Sequence, residues 1–149
     1  MFHALLYVHV VLAIIAVGFN ASYGVWLARA ARAPEHLAYS LRGVKFLDDR
    51  IANPAYGLLL VTGILMIVTG PVSFDQFWLV TAVAIYGVVM ILGGAVYTPT
   101  LRRQIEVLER DGAESAEYQR LTTRGTAVGA LLGVLVLVLV FFMVIQPTI

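Results

Sequence analysis

The chain has 149 residues, of which 60% are hydrophobic and 13% charged, and its formal net charge is +1. Soluble domains are typically about 45–50% apolar, so this composition indicates a membrane protein, and a charge this small gives no reason to expect nucleic acid as a partner. The chain has no cysteine, which excludes disulfides, thiolate metal sites and cysteine nucleophiles.

The distribution of charge predicts the topology. All ten Lys and Arg residues fall in two stretches, 29–50 and 102–124, that separate long apolar runs. Lys- and Arg-rich loops remain in the cytoplasm, so we expect an integral protein of a bacterial inner membrane with both termini outside. The predicted fold is all-α, a single domain over residues 1–149. It is a bundle of four transmembrane helices, with spans at about 2–30, 47–69, 77–98 and 122–146 and with cytoplasmic loops at 31–46 and 99–121.

The first span has no positive leader and no cleavage site, so we expect it to be retained. It carries a stripe of residues at 4-3-4-3 spacing, which share one helix face: His9, Ala13, Ala16, Asn20 and Tyr23. Polar groups in hydrocarbon usually face the bundle interior. A neutral imidazole there can ligate iron, copper or zinc. The alternative is a histidine that is hydrogen-bonded to a neighbouring helix.

Polar residues mark the start of the second span, where the sequence reads LDDRIANPAYG. Asp49, Arg50 and Asn53 form a possible polar site for a substrate or a proton relay, close in depth to Asn20. The alternative is interfacial anchoring of a helix that begins near Pro54.

Tyr86 and Met90 share one face of the third span, and we expect Tyr86 to pack in the core or to flank a planar ligand. A charged helical hairpin should follow, as a solvated stub or as a docking site for a partner. The fourth span contains Gly125, Gly129 and Gly133, a GxxxGxxxG run that is typical of close helix packing within one chain or between two copies.

Four segments together resemble an uncharacterised family of predicted integral membrane proteins in the broad CopD-like group, distantly similar to HemJ-type protoporphyrinogen oxidases. They read HVVLAIIAVGFNASYGVW, DDRIANPAYGLLLVTGILM, FWLVTAVAIYGVVM and VYTPTLRRQ. HemJ-type proteins bind haem b through a first-span histidine, and His9 matches that position. A nearby tryptophan and a third-span lysine of that type are absent, which argues against the oxidase activity. The match at His9 leaves haem binding as the property that the resemblance implies.

Three functions remain open. The first is a redox-associated protein that binds a b-type haem, with His9 on the iron and Asn20, Tyr23 and Tyr86 around it. The second is a non-enzymatic homo-oligomer or an accessory subunit of a membrane complex. The third is a small transporter or lipid-binding protein. No zinc motif, nucleophile elbow or phosphate loop identifies a reaction, so enzymatic activity stays undecided.

Overall fold

The computed structural model describes residues 1–148, and in that part of the chain all regular structure is helical. The elements are α1 (Phe2–Ala30), α2 (Leu37–Leu47), a first π-helical turn (Asp48–Ala52), α3 (Asn53–Thr69), α4 (Phe77–Leu92), a second π-helical turn (Gly93–Tyr97), α5 (Thr98–Asp111) and α6 (Ala116–Ile145). The predicted all-α fold with four long apolar helices is confirmed, because four continuous helical stretches are long and apolar enough to cross a membrane.

Two of these stretches are compound helices. Residues 34–69 and 77–111 each run without interruption through a π-helical turn. At about 1.5 Å per residue these helices exceed 50 Å, while a bilayer core is about 30 Å thick. Each of them therefore extends beyond the hydrocarbon at the end where the basic residues lie, which we name the basic end. The opposite end carries Phe2 and Ile145 and is named the termini end.

Residues 37–46, expected in the first loop, are helical and belong to α2. Leu37, Leu41 and Val44 are buried at the spacing of one helix face. These apolar contacts hold α2 against α1 and α5. The connection between α1 and α2 is accordingly short and contains a 3₁₀ turn at Pro34–His36.

Each π-helical turn is followed by a proline at the second position of the next helix, Pro54 in α3 and Pro99 in α5. Proline has no N–H, so the preceding turn keeps a carbonyl without its helical donor. The sequence predicts a kink at Pro99, and the structure places the irregular turn just before it, at residues 93–97. Turns of this kind often occur at functional sites.

The helices pack as two hairpins, α1 with α3 and α4 with α6, which are joined by contacts of α2 with α5 and of α1 with α6 near the basic end. A small cluster around Ala16, Tyr56 and Leu59 holds α1 to α3. A larger buried cluster fills the basic end. Many large apolar side chains on all four long helices face outward, as they do in a protein whose surface is covered by lipid.

The predicted charged hairpin is formed by α5 and the start of α6. Its turn contains Gly112 at φ +81°, a left-handed conformation that favours glycine. Ser115 caps α6 by accepting the Tyr118 N–H at 3.3 Å. Arg103 bonds Glu117 across the hairpin at 2.7 Å.

Candidate functional site

His9 lies near the termini end of α1 and contacts α3. Its Nδ1 is 2.7 Å from Thr62 Oγ1. The Thr62 hydroxyl is in turn 2.9 Å from the Leu58 carbonyl oxygen, one turn earlier in its own helix. A Cβ at Gly63 would be 3.5 Å from the His9 ring, so this glycine allows the imidazole to approach α3. The hydrogen-bond partner of His9 on a neighbouring helix is therefore Thr62.

The direction in which the Thr62 hydroxyl donates sets the tautomer of His9, because this hydroxyl lies within hydrogen-bond distance of both Nδ1 and the Leu58 carbonyl. When the Thr62 hydroxyl donates to the Leu58 carbonyl, its oxygen can only accept from the imidazole. The proton is then on Nδ1 of His9, and Nε2 keeps its lone pair. A histidine held in this way is oriented as metal-ligating histidines are, with one nitrogen fixed by a hydrogen bond and the other free to bind.

The middle of the first-span stripe is filled by packing and hydrogen bonds between α1 and α3. Ala16 is fully buried against α3. Asn20 donates from Nδ2 to the Ala16 carbonyl at 3.0 Å and to the Tyr56 hydroxyl at 3.1 Å. Tyr86 donates to the Tyr56 carbonyl at 2.5 Å. Asn20 and Tyr86, both expected to line a cofactor pocket, here join α1 and α4 to α3.

Two grooves run along α1, and they share Ser22. One has a volume of about 280 Å³ and is lined by Ile14, Ile15, Gly18, Phe19 and Ser22. The other has a volume of about 390 Å³ and is lined by Ser22, Val25, Trp26 and Arg29. Neither groove is lined by His9, and both lie on a different side of the helix from the stripe.

The second polar region lies at the basic end and centres on Asp48, which is 4% exposed. Its Oδ2 accepts from the Thr98 hydroxyl at 3.0 Å and from Asn53 Nδ2 at 3.3 Å. The first of these bonds joins the two compound helices at the level of their π-helical turns. Asp49, the acid that the sequence analysis selected, points outward and pairs with Lys45.

The difference between Asp48 and Asp49 follows from the π-helical turn. In an α-helix Asp49 and Asn53 would be stacked, four residues apart. A π-helical turn bonds residues five apart, and Asp48 and Asn53 have that separation. The sequence contains a pattern that predicts the burial of Asp48, because this residue continues the apolar face of Leu41 and Val44 at the next helical position.

The other residues of the expected polar site are exposed. Arg50 makes no ion pair within residues 1–148, and Pro54 lies on the surface at the start of α3. Tyr23 is the buried member of this region from α1. It is 2% exposed, and within the described chain its hydroxyl has no hydrogen-bond partner.

The glycine run of α6 divides into two parts. A Cβ at Gly125 would lie 3.8 Å from Thr100 and a Cβ at Gly129 would lie 3.4 Å from Tyr97, so both glycines face helices of the same chain. A Cβ at Gly133 would have no neighbour within 4 Å. Two of the three glycines therefore serve packing inside the monomer.

The described residues contain no group of three or more His, Asp and Glu side chains that could hold a metal ion. A structural zinc site takes four protein ligands, so the described residues offer no candidate for one.

Residues 3–147 match the sequence profile of a family described as "predicted integral membrane protein (DUF2269)". The chain belongs to this family. The match covers nearly the whole chain and confirms the expected family of integral membrane proteins. The DUF2269 description names no CopD-like or HemJ-type relative, so that likeness stays a prediction. No curated protein and no solved structure matches this DUF2269 chain.

Proposed function

We propose that this DUF2269 protein binds one b-type haem, with Nε2 of His9 as an axial ligand of the iron. The observation that carries the proposal is the hydrogen bond between His9 Nδ1 and Thr62 Oγ1. It orients the ring, and with the Thr62 hydroxyl donating to the Leu58 carbonyl it places the imidazole proton on Nδ1 and leaves Nε2 as the basic nitrogen. A bound haem would supply one-electron redox chemistry, and the protein's part is to orient His9 and to tune its basicity through Thr62.

The haem would lie towards the termini end of the bundle. His9 is partly exposed there, whereas the stripe is closed by Ala16 and by the bonds around Tyr56. Asn20 and Tyr86 then support the helices below the haem and do not line its pocket. A likeness to HemJ-type proteins would be limited to this histidine.

A second candidate is a protein that assembles with a further copy of itself or with another membrane protein. Gly133 favours it, because this glycine has open space where a Cβ would be. Val134 and Leu137 beside it are more than half exposed. Small residues flanked by apolar ones are typical of helix pairs in membranes. The two proposals are compatible, and a second copy could cover the open side of His9.

The orientation of the protein is part of the proposal. The basic end carries the Lys and Arg residues of both connecting stretches, and such loops are retained on the cytoplasmic side. We therefore assign the basic end to the cytoplasm of a bacterial cell and the His9 end to the outer face of the inner membrane.

Visible absorption spectra test the haem proposal. The full chain is purified in mild detergent, with haem added during expression, and is measured oxidised and reduced beside His9→Ala and a matched control, His3→Ala. His3 is exposed in the first turn of α1. We expect a Soret band that is lost in the first variant and kept in the second. Folded protein without a haem spectrum, or an unchanged spectrum in His9→Ala, would refute the proposal.

Thr62→Val separates a direct ligand from a nearby histidine. Valine keeps the shape of threonine and removes the hydrogen-bond acceptor of Nδ1. We expect haem to remain bound with a lower occupancy and a shifted reduction potential, because outer partners of metal ligands typically change affinity about 10–100-fold. A potential and an occupancy equal to those of the parent protein would show that Thr62 does not orient an iron ligand.

A further inference from the structure

The buried polar region at the basic end has no role in the proposed haem site. Asp48 is a carboxyl group placed where two interrupted helices meet, and ionisable groups buried in membrane bundles are usually functional. Lys45, the cation that acts electrostatically on Asp48, is paired with Asp49. Asp48 is therefore held by neutral donors, the Thr98 hydroxyl and the Asn53 amide.

Tyr23 supplies a second, independent observation. It is 98% buried, and its hydroxyl has no partner within residues 1–148. Its ring belongs to the same buried cluster as Ala52 and Tyr97, one from each π-helical turn. The α1 helix contacts the first of these turns directly. Of the carboxyl groups, Asp48 has the largest electrostatic effect on the Tyr23 hydroxyl.

We propose that Asp48 and Tyr23 form a reversible proton-binding site between the two π-helical turns. The carboxylate takes up one proton on Oδ1, and the resulting carboxylic acid donates to one water that bridges it to the Tyr23 oxygen. On release of the proton the direction reverses, and the Tyr23 hydroxyl donates through the same water to the carboxylate. In both states Oδ2 keeps its bonds from Thr98 and Asn53, so the proton is the only particle that must enter.

The donors around Asp48 favour a proton over an alkali cation. The Asn53 amide and the Thr98 hydroxyl direct their hydrogens at Oδ2, and a cation at that oxygen would face these positive hydrogens. The route for a proton is short, because the next residues, Asp49 and Arg50, are exposed at the basic end.

The site also has a defined electrostatic environment. The titratable and charged groups coupled electrostatically to Asp48 come from the elements around it: Tyr23 of α1, Lys45 of α2, Asp49 of its own turn, Tyr56 of α3 and Tyr97 of the second π-helical turn. Lys45 is the only cation in this set and is paired with Asp49. Apart from Asp49, the remaining groups are phenols, which stay neutral over the ordinary titration range of a carboxyl group.

Infrared difference spectroscopy of the full chain in lipid nanodiscs tests the proposal, with a titration from about pH 4 to about pH 9, a range that spans ordinary carboxyl and histidine groups. The other eight of the nine Asp and Glu side chains also give carboxyl bands, so the Asp48 signal is the protonated-carboxyl C=O band in the parent spectrum minus that in the spectrum of Asp48→Asn. We expect this signal to disappear as the pH rises and to be retained in Asp49→Asn, the matched control. Tyr23→Phe should keep the band and shift both its frequency and its midpoint.

Four outcomes overturn the proposal. They are no titrating carboxyl band in the parent protein, a band that Asp48→Asn leaves undiminished, an Asp48 signal that Tyr23→Phe leaves unchanged, and an Asp48 signal that is abolished by sodium or potassium at constant pH, which would indicate a cation site. If Asp48→Asn does not fold, aspartate labelled with ¹³C in the parent chain replaces it. The band must then move with the label and respond to Tyr23→Phe.

Discussion

The hydrogen bond from Thr98 to Asp48 should hold the two compound helices together, and a double-mutant cycle measures it. The variants are Asp48→Ala, Thr98→Val and the double mutant. Hydrogen bonds to charged groups contribute about 1.5–3 kcal/mol in soluble proteins. Bonds between membrane helices average about 0.6 kcal/mol, with a maximum of about 1.7. The bond is 3.0 Å long and its acceptor is 4% exposed, so we expect a coupling free energy of about 1–1.7 kcal/mol, in the upper part of the membrane range.

The free energy of unfolding is obtained from reversible unfolding of the detergent-solubilised protein by a denaturing detergent, followed by circular dichroism. A parallel cycle of Asp49→Ala with Thr98→Val is the control, since Asp49 pairs with Lys45 and does not contact Thr98. We expect that cycle to be additive within about 0.5 kcal/mol. A coupling for Asp48 no larger than the control would refute the reasoning, because it would mean that the bond adds nothing to the joint between the helices.

Three further changes have distinct expected results. Gly129→Leu should destabilise the monomer by about 1–3 kcal/mol through overpacking, because even a Cβ there lies 3.4 Å from Tyr97. Gly133→Leu should change monomer stability by less than about 0.5 kcal/mol. It should alter only self-association, as measured by light scattering in detergent. Tyr86→Phe removes one hydrogen bond between helices and should lower the free energy of unfolding by about 0.6 kcal/mol in the same assay. A loss above about 2 kcal/mol would contradict this expectation. Arg103→Gln breaks an exposed ion pair and should cost less than about 1 kcal/mol, with an effect that disappears at high salt.

Periodicity and hydropathy were sufficient to predict the long helices and the inward face of α1. The predicted first span, 2–30, coincides with α1, because a run of 29 residues without charge until its last turn has few alternatives in a bilayer. The stripe from His9 to Tyr23 faces the interior, with Ala16 and Tyr23 buried. Asn20 was expected to be close in depth to the start of the second span, and it is hydrogen-bonded there to Tyr56. Each of these predictions depends only on the α-helical repeat.

The predictions that differ from the structure depend on local departures from that repeat. Asp49 and Asn53, which are four residues apart, were predicted to share a polar site, whereas the π-helical turn pairs Asp48 with Asn53 in a step of five. The glycine run of α6 indicated close packing but not its partner, because one helix cannot show what faces it. The partner of His9 was likewise unknown, since Thr62 is 53 residues away in the sequence.

The two proposed sites lie on the same face of α1 and should act independently. His9 and Tyr23 are fourteen residues apart, about 21 Å along the helix. Between them the stripe is closed by Ala16, which is fully buried, and by Asn20, which is bonded to Tyr56. This packing leaves no continuous polar path. We therefore expect His9→Ala to keep the titrating carboxyl band and Asp48→Asn to keep the haem spectrum. Loss of both signals in either variant of a folded protein would mean that the closed section of the stripe transmits a change from one site to the other.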